Sequence, residues 1–443
     1  MAQLRTSELL AALSVALDLT EGQKAGHAVR TCYLAMRLAD RLQLPEQTRS
    51  SLFYAALLKD SGCSSNAAAV TELFGVDDQV LKGRQATAGR SLLAMAQFTI
   101  ANLPNEPLPR RARRLIKLAL SGEQERRDVE QLRCSRGAGI AKKIGFGDDV
   151  SAAIMALHEH WDGHGLPQGL RREEIPLASR IIAVCAGLDV FCSDRGATEA
   201  AAVIRRRSGS WYDPTITDHL LELCRGGALE RTQAPDLKKE VFAMEPGGLV
   251  QVATDADIDR IASAFADIID AKSPYTGRHS QNVAVIAESV TRRFGLSMND
   301  RLDVRRAALL HDIGKLGVPN LILDKPGPLD AAEFAIIKRH PELSLRILEP
   351  IELFAKVAQI AASHHEKLDG TGYFRGLGRE TLGVSARIVS VSDVFEAMTA
   401  DRPYRAPMTP EEALALMRKT AGSHLSADII DALTDTDSLE LAA

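Results

Sequence analysis

Two stretches of this chain place metal-grade side chains at close spacing, His311-Asp312-Ile313-Gly314-Lys315 and His364-His365-Glu366-Lys367-Leu368-Asp369-Gly370-Thr371-Gly372-Tyr373. Imidazole and carboxylate are the donors that bind iron, manganese or zinc. With His279, His340 and Asp393 they give seven candidate ligands: His279, His311, Asp312, His340, His364, His365 and Asp393. A single histidine on an apolar helix face is ordinarily a hydrogen-bonded core residue, so only the set as a whole points to metal. His364 continues the apolar stripe of Ile360 one helical turn on, which points it at a core. Asp393 lies within the apolar stretch Arg387–Met398, where an unpaired carboxylate is costly to bury. A cation would account for both. Neighbours on a helix point about 100° apart, so each dyad is expected to serve two ions rather than chelate one, with Asp312 bridging. Lys315, one turn beyond Asp312, reads either as a solvated lysine or as a donor to a phosphoryl oxygen beside the metals. The chemistry implied is metal-assisted hydrolysis, with His311, Asp312 and Lys315 at its centre.

The elements that must hold these residues are helical. Apolar residues recur at helical spacing through Ile258, Ile261, Ala262, Phe265, Ile268 and Ile269, and again through Val283, Ile286, Val290 and Phe294. Leu353, Val357, Ile360 and Ala361 repeat the pattern. Strand-length alternation is missing, so the fold class is all-α. Thr254 before Asp255 and Asp257 reads as a helix cap.

An internal repeat organises the chain into two tandem helical bundles. His158-Glu159-His160-Trp161-Asp162-Gly163-His164-Gly165 matches the stretch from His365 to Gly372 at an offset of 207 residues, and Arg180-Ile181-Ile182 meets Arg387-Ile388-Val389 at the same offset. Earlier in the module the offset is 252, pairing His27 with His279 and Leu57-Leu58-Lys59-Asp60 with Leu309-Leu310-His311-Asp312. The first copy therefore carries an insertion after Asp60, which the turn-rich stretch 103–109 suits. The expected division is a first module over 1–228, a Gly/Pro-marked linker over 229–254 and a second module over 255–443.

Composition narrows the classes. The 443 residues are 45% hydrophobic and 25% charged with a formal net charge of −4, which gives no general basis for DNA binding. No apolar run approaches the ~18 residues of a membrane span, and Glu8 and Asp18 interrupt the N-terminal apolar stretch, which excludes a signal peptide. Six cysteines, all within the first 224 residues and without a C-x-x-C pair, read as free thiols in a reducing compartment. The chain is expected to be cytoplasmic. The basic runs Arg110–Arg114 and Arg205–Arg207 read as solvated helix faces, lacking the aromatics of a single-strand binding surface.

His311-Asp312, His364-His365-Glu366, Asp369-Gly370-Thr371-Gly372-Tyr373 and Asp401-Arg402-Pro403-Tyr404-Arg405 together resemble the HD-GYP family of HD-superfamily phosphohydrolases, over roughly residues 255–433. The resemblance implies an all-helical bundle that hydrolyses cyclic di-GMP to linear pGpG or GMP in bacterial second-messenger signalling. It implies a centre of two or three metals, Fe or Mn, held by the seven residues above. Lys315, Arg402 and Arg405 become phosphate contacts, and Gly372 and Tyr373 part of the substrate loop; a guanidinium suits phosphate because it can bind two oxygens at once. Two departures matter. Phe374 stands where the family name has proline, and Tyr275 stands four residues before His279 where three-metal members carry Glu. Two divalent ions and pGpG as product are therefore expected.

The first copy keeps His27, Asp60 and His158 but carries Lys59 opposite His311, Cys63 opposite Lys315, Arg133 opposite His340, Leu157 opposite His364 and Ala186 opposite Asp393. Such a copy cannot hold a binuclear centre and is expected to be regulatory or dimerising. Two alternatives stay open for the chain: hydrolysis of another cyclic dinucleotide or small phosphoester, or a signalling adaptor whose Phe374 loop binds a protein partner.

Overall fold

The structure, a computed structural model, describes residues 4–74, 77–85, 123–247, 252–401 and 406–434. Arg402 and Arg405, the expected insertion at 103–109 and the basic run Arg110–Arg114 lie outside those residues. Among the described residues there are helices and only isolated β-bridges, so the chain is all-α. No helix there is long and apolar enough to cross a membrane. The chain forms two compact units, Met1–Asp257 with Pro319–Leu321, and Ile258–Val318 with Ile322–Ala443.

In the first unit, α1 (Thr6–Thr20), α2 (His27–Arg41) and α3 (Glu46–Leu58) are followed by α4 (Ala67–Phe74) and α5 (Asp78–Gln85). Then come α6 (Glu123–Ile144), α7 (Asp148–Met155), α8 (Leu177–Arg195), α9 (Ala197–Arg207) and α10 (Pro214–Arg225). The stretch expected as a linker instead holds α11 (Ala228–Arg231) and α12 (Leu237–Ala243), with Leu229, Leu237 and Val241 buried. Its glycines and prolines punctuate short helices, and three buried apolar side chains suffice to fasten them.

The second unit opens on α13 (Asp255–Asp270), where Thr254 and Asp257 form the expected reciprocal cap, Asp257 N–H donating to Thr254 Oγ1 at 3.2 Å and Thr254 N–H to Asp257 Oδ2 at 2.9 Å. It continues through α14 (His279–Arg293), α15 (Met298–Leu310), α16 (Ala331–Ile337), α17 (His340–Leu348), α18 (Ala355–Ala362), α19 (Val384–Thr399), α20 (Pro410–Arg418) and α21 (Ala427–Thr434).

Each unit repeats the packing of the other. Helix α2 packs on α3 and α8, α3 on α7, and α6 on α7; likewise α14 packs on α15 and α19, α15 on α18, and α17 on α18. Polar details follow the same register. Asp18 accepts from the Gly26 and Ala28 amides, as Asp270 accepts from the Ser280 amide and hydroxyl. Glu159 gathers the amides of Gln168, Gly169 and Leu170, as Glu366 gathers those of Arg375 and Leu377. These carboxylates tie each loop to its bundle, so the repeat extends to the buried hydrogen bonds that fix loop shape.

Candidate metal centre

All seven candidate ligands converge inside the second unit. His311 and Asp312 follow directly on α15, and His364 and His365 follow α18, while His279 and His340 open α14 and α17 and Asp393 projects from α19. Both dyads thus sit just past a helix C-terminus, not within a helix. The dyads are therefore not held to the geometry of a continuous helix. Released from the 100° helical step, His311 Nε2 and Asp312 Oδ2 lie 3.3 Å apart, and the His364 and His365 rings are 4.0 Å apart between centroids.

Asp312 stands at the middle. Its Oδ2 is 3.7 Å from His279 Nε2 and accepts from Lys315 Nζ at 2.5 Å. Its Oδ1 is 3.3 Å from His340 Nε2 and 3.6 Å from His364 Nε2. Asp393 Oδ1 lies 3.2 Å from His279 Nε2 and 3.9 Å from His311 Nε2. Three groupings have ligand atoms mutually within 4.8 Å: His279, His311 and Asp312; His311, His364 and Asp393; His340, His364 and His365. One carboxylate therefore shows each oxygen to a different set of imidazoles.

The ring tautomers are fixed from outside. The Nδ1 atoms of His311, His340 and His364 bond the carbonyls of Ala308, Ile337 and Ala361, three residues back in each case, at 2.7, 2.7 and 2.6 Å. His279 Nδ1 bonds Glu396 Oε2 at 2.5 Å. A ring that donates through Nδ1 keeps the Nε2 lone pair for a cation. Glu396 escaped the sequence analysis; its signal is one helical turn after Asp393 on the same face, legible only once the helix was placed.

Electrostatics match the donor set. Burial holds His340 and His365 down to about 3 and His364 well below the ordinary range, so these imidazoles are neutral and able to ligate. Burial pushes the carboxyls of Asp312 and Asp393 up, but His311 and Lys315 around Asp312, and His279 around Asp393, outweigh it and keep both ionised. His279 is likewise disfavoured as a cation by burial, yet Asp393 and Glu396 raise it to about 10. Among the described residues, His311 Nε2 and Asp312 Oδ1 are buried without a hydrogen-bond partner. Orphaned buried atoms of this kind are costly unless something binds them, so the residues fit divalent metal.

A cavity of about 450 Å³ opens onto this cluster, lined by Thr276, His279, Lys315, His365, Asp393 and Met398 among others. The Tyr373 ring packs on His365, 4.7 Å between centroids, and meets Phe334 edge-on at 6.0 Å. Gly372 has no room for a side chain, since a Cβ would collide with the Glu366 backbone; at Gly314 it would collide with the His340 carbonyl. Phe374, 46% exposed, has φ +53°, which the ring of proline, fixed near −65°, cannot adopt. The loop thus departs from the family pattern in backbone as well as residue.

In the first unit the equivalent position is filled by internal cations. Lys59 pairs with Asp60, and Arg133 reaches Glu21 at 2.9 Å and Asp60 at 3.8 Å. His27 bonds Asp189 at 2.7 Å, the counterpart of the His279–Glu396 bond. Arg207 does not lie on a solvated face as expected: its guanidinium covers the Trp211 ring at 3.9 Å, because Trp211 folds back over the end of α9. Arg205 and Arg206 are exposed as expected. The six cysteines are free, and Cys192 and Cys224 are half-buried where the other four are buried.

The helical repeat, the HD dyad and the histidine cluster define an HD-domain protein, and the HD domain family model matches residues 95–216 and 263–429. The chain is 40% identical to the 3'3'-cGAMP-specific phosphodiesterase 3 of Vibrio cholerae over 429 residues, 96% of this chain and 93% of that protein. A crystal structure described as a cyclic GMP-AMP specific phosphodiesterase of V. cholerae matches at a TM-score of 0.67 with 36% identity, covering 99% of both chains. The Cyclic di-GMP phosphodiesterase of Thermotoga maritima is 37% identical over 204 residues, 44% of this chain and 54% of its own. The chain belongs to the HD-GYP family of HD-domain proteins.

Proposed function

We propose that this chain is a metal-dependent phosphodiesterase that opens a cyclic dinucleotide to its linear form, acting in the cytoplasm. The observation that carries the reading is Asp312, whose two oxygens face different imidazole sets while Oδ1 and the neighbouring His311 Nε2 are buried with no hydrogen-bond partner among the described residues. His279, His311, Asp312, His340, His364, His365 and Asp393 would hold two divalent ions, iron or manganese as the family resemblance implies. Bound, such ions supply Lewis-acid charge to a phosphodiester and favour the ionised form of water. Lys315, beside Asp312 and on the cavity wall, neutralises the scissile phosphate or the departing 3′ oxygen. Tyr373, packed on the cavity-lining His365, orients the substrate, with Gly372 allowing the close turn. Glu396 holds His279 in register.

For the substrate, the relative that spans nearly the whole chain is named for 3'3'-cGAMP, and relatives that match 40–44% of the chain are named for 3'3'-cGAMP or for cyclic di-GMP. The mixed guanine–adenine ring is thus the first substrate to assay and cyclic di-GMP, with pGpG as product, the second. The first unit, with lysine and arginine where ligands would stand, acts as a regulatory module. Purified protein loaded with Mn(II) or Fe(II), assayed on both substrates beside His311→Ala, tests the reading. Turnover lost in the variant is expected; equal and negligible turnover in both would favour an adaptor that docks a partner through the exposed Phe374 loop.

A further inference from the structure

We propose that the first unit binds one zinc-class divalent ion on Glu130, Cys134 and His158, a site separate from the histidine cluster of the second unit. Glu130 and Cys134 lie four residues apart on α6, hence on one face, and His158 follows α7, which packs against α6. A carboxylate oxygen, the thiol sulfur and an imidazole nitrogen of this trio all lie within 4.8 Å of one another. Tetrahedral zinc, with bonds of about 2.0–2.3 Å, spaces its ligand atoms by about 3.5 Å, so small side-chain rotations close the site. Glu130 Oε2 is buried and, among the described residues, has no hydrogen-bond partner. Glu130 and His158 also line a cavity of about 330 Å³, which leaves a fourth position for water or a small ligand.

His158 is the counterpart of His365, so this site reuses one imidazole of the ancestral set and adds two new donors one turn apart on α6. The mixed donor set selects its ion: a thiolate excludes magnesium and calcium and favours zinc. A second grouping, Glu21, Asp60 and Cys63, is a poorer candidate. Lys59, Lys82 and Arg133 already neutralise its carboxylates, and Cys63 donates to Asp60 Oδ1 at 3.7 Å. Binding at Glu130–Cys134–His158 forms a metal–sulfur bond and releases the thiol proton to solvent, with no change of oxidation state.

Cobalt(II) titration of the full chain tests this, because the seven candidate ligands of the second unit include no sulfur. A thiolate-to-cobalt charge-transfer band in the near ultraviolet reports only a cysteine-ligated ion. The band is expected in the wild type, in His311→Ala and in Cys63→Ser, and is expected to vanish in Cys134→Ser. Glu130→Gln and His158→Gln should each weaken cobalt binding at this site by more than the about 10–100-fold that loss of an outer-shell partner costs. If Cys134→Ser misfolds by circular dichroism, the His158→Gln titration decides. No band at saturating cobalt, a band that survives Cys134→Ser, or one lost in Cys63→Ser would overturn the assignment.

Discussion

At the scale of single residues, the centre is held by bonds directed away from it. Each Nδ1–H that leans on a backbone carbonyl frees the opposite nitrogen, and His279 depends instead on Glu396, a side chain 117 residues further on. Glu396→Gln should therefore lower metal affinity about 10–100-fold while leaving the fold intact, measurable by competition with a chromogenic chelator. Lys315→Ala is expected to behave differently. Because Lys315 faces the cavity and carries no ligand atom, metal content should persist while kcat falls about 10²–10³-fold. A parallel loss of metal would show that Lys315 instead supports Asp312. The convergence of the seven candidates was legible from residue type, since histidines and carboxylates seldom gather in an apolar core unless a cation pairs them. Glu396 was not, because its role depends on which helix faces which.

Among the elements, close approach of backbones sets the geometry. Gly314 lets the turn after α15 pass against α17, with the Gly314 amide donating to Ser344 Oγ at 3.0 Å and the Ser344 hydroxyl donating to the His311 carbonyl at 2.8 Å. Gly314→Ala would drive a Cβ into the His340 carbonyl, so it should cost about 1–3 kcal/mol and displace two ligands together. Chemical denaturation and metal content should fall in step; an unchanged midpoint would show that the turn yields without cost. Helical class, the Thr254 cap and the tandem repeat could be read from spacing because they are local patterns. The ends of α15 and α18 could not, since no glycine or proline marks them, and the dyads were read as lying within helices. The 229–254 stretch misled for the opposite reason: its turn formers are dense, yet Leu229, Leu237 and Val241 anchor helices too short to show a stripe.

For the molecule as a whole, two units of one ancestry now hold charge in different ways, one with metal-fit ligands and the other with its own lysines and arginines. The first unit carries a pH signature of that change. Burial raises Asp18 from 3.8 to about 6, outweighing His27 and Lys59, and the residue is fully buried. A raised carboxyl means the folded unit binds a proton more tightly than the unfolded chain. The stability from this group is fully present below about pH 3.8 and is lost as pH rises through about 6. Glu21 works the other way, its carboxyl held low by Arg133 and Lys82 against burial, but its contribution changes only below its unfolded value of 4.5. Between pH 5 and 7 the Asp18 contribution is worth about 1 kcal/mol in favour of the lower pH, while His158, held below its usual range by burial, pulls the other way. Asp18→Asn should flatten that dependence in urea midpoints of the first transition; an identical slope in the variant would contradict it.

The central claim is that seven side chains of the second unit hold a pair of cations through Asp312. Metal analysis of the intact chain and of Asp312→Asn, both in a Cys134→Ser background, measures it directly. Two transition-metal ions per chain are predicted in the parent and close to none in the variant. Equal metal content in the two proteins, or none in the parent after loading with manganese or iron, would contradict it.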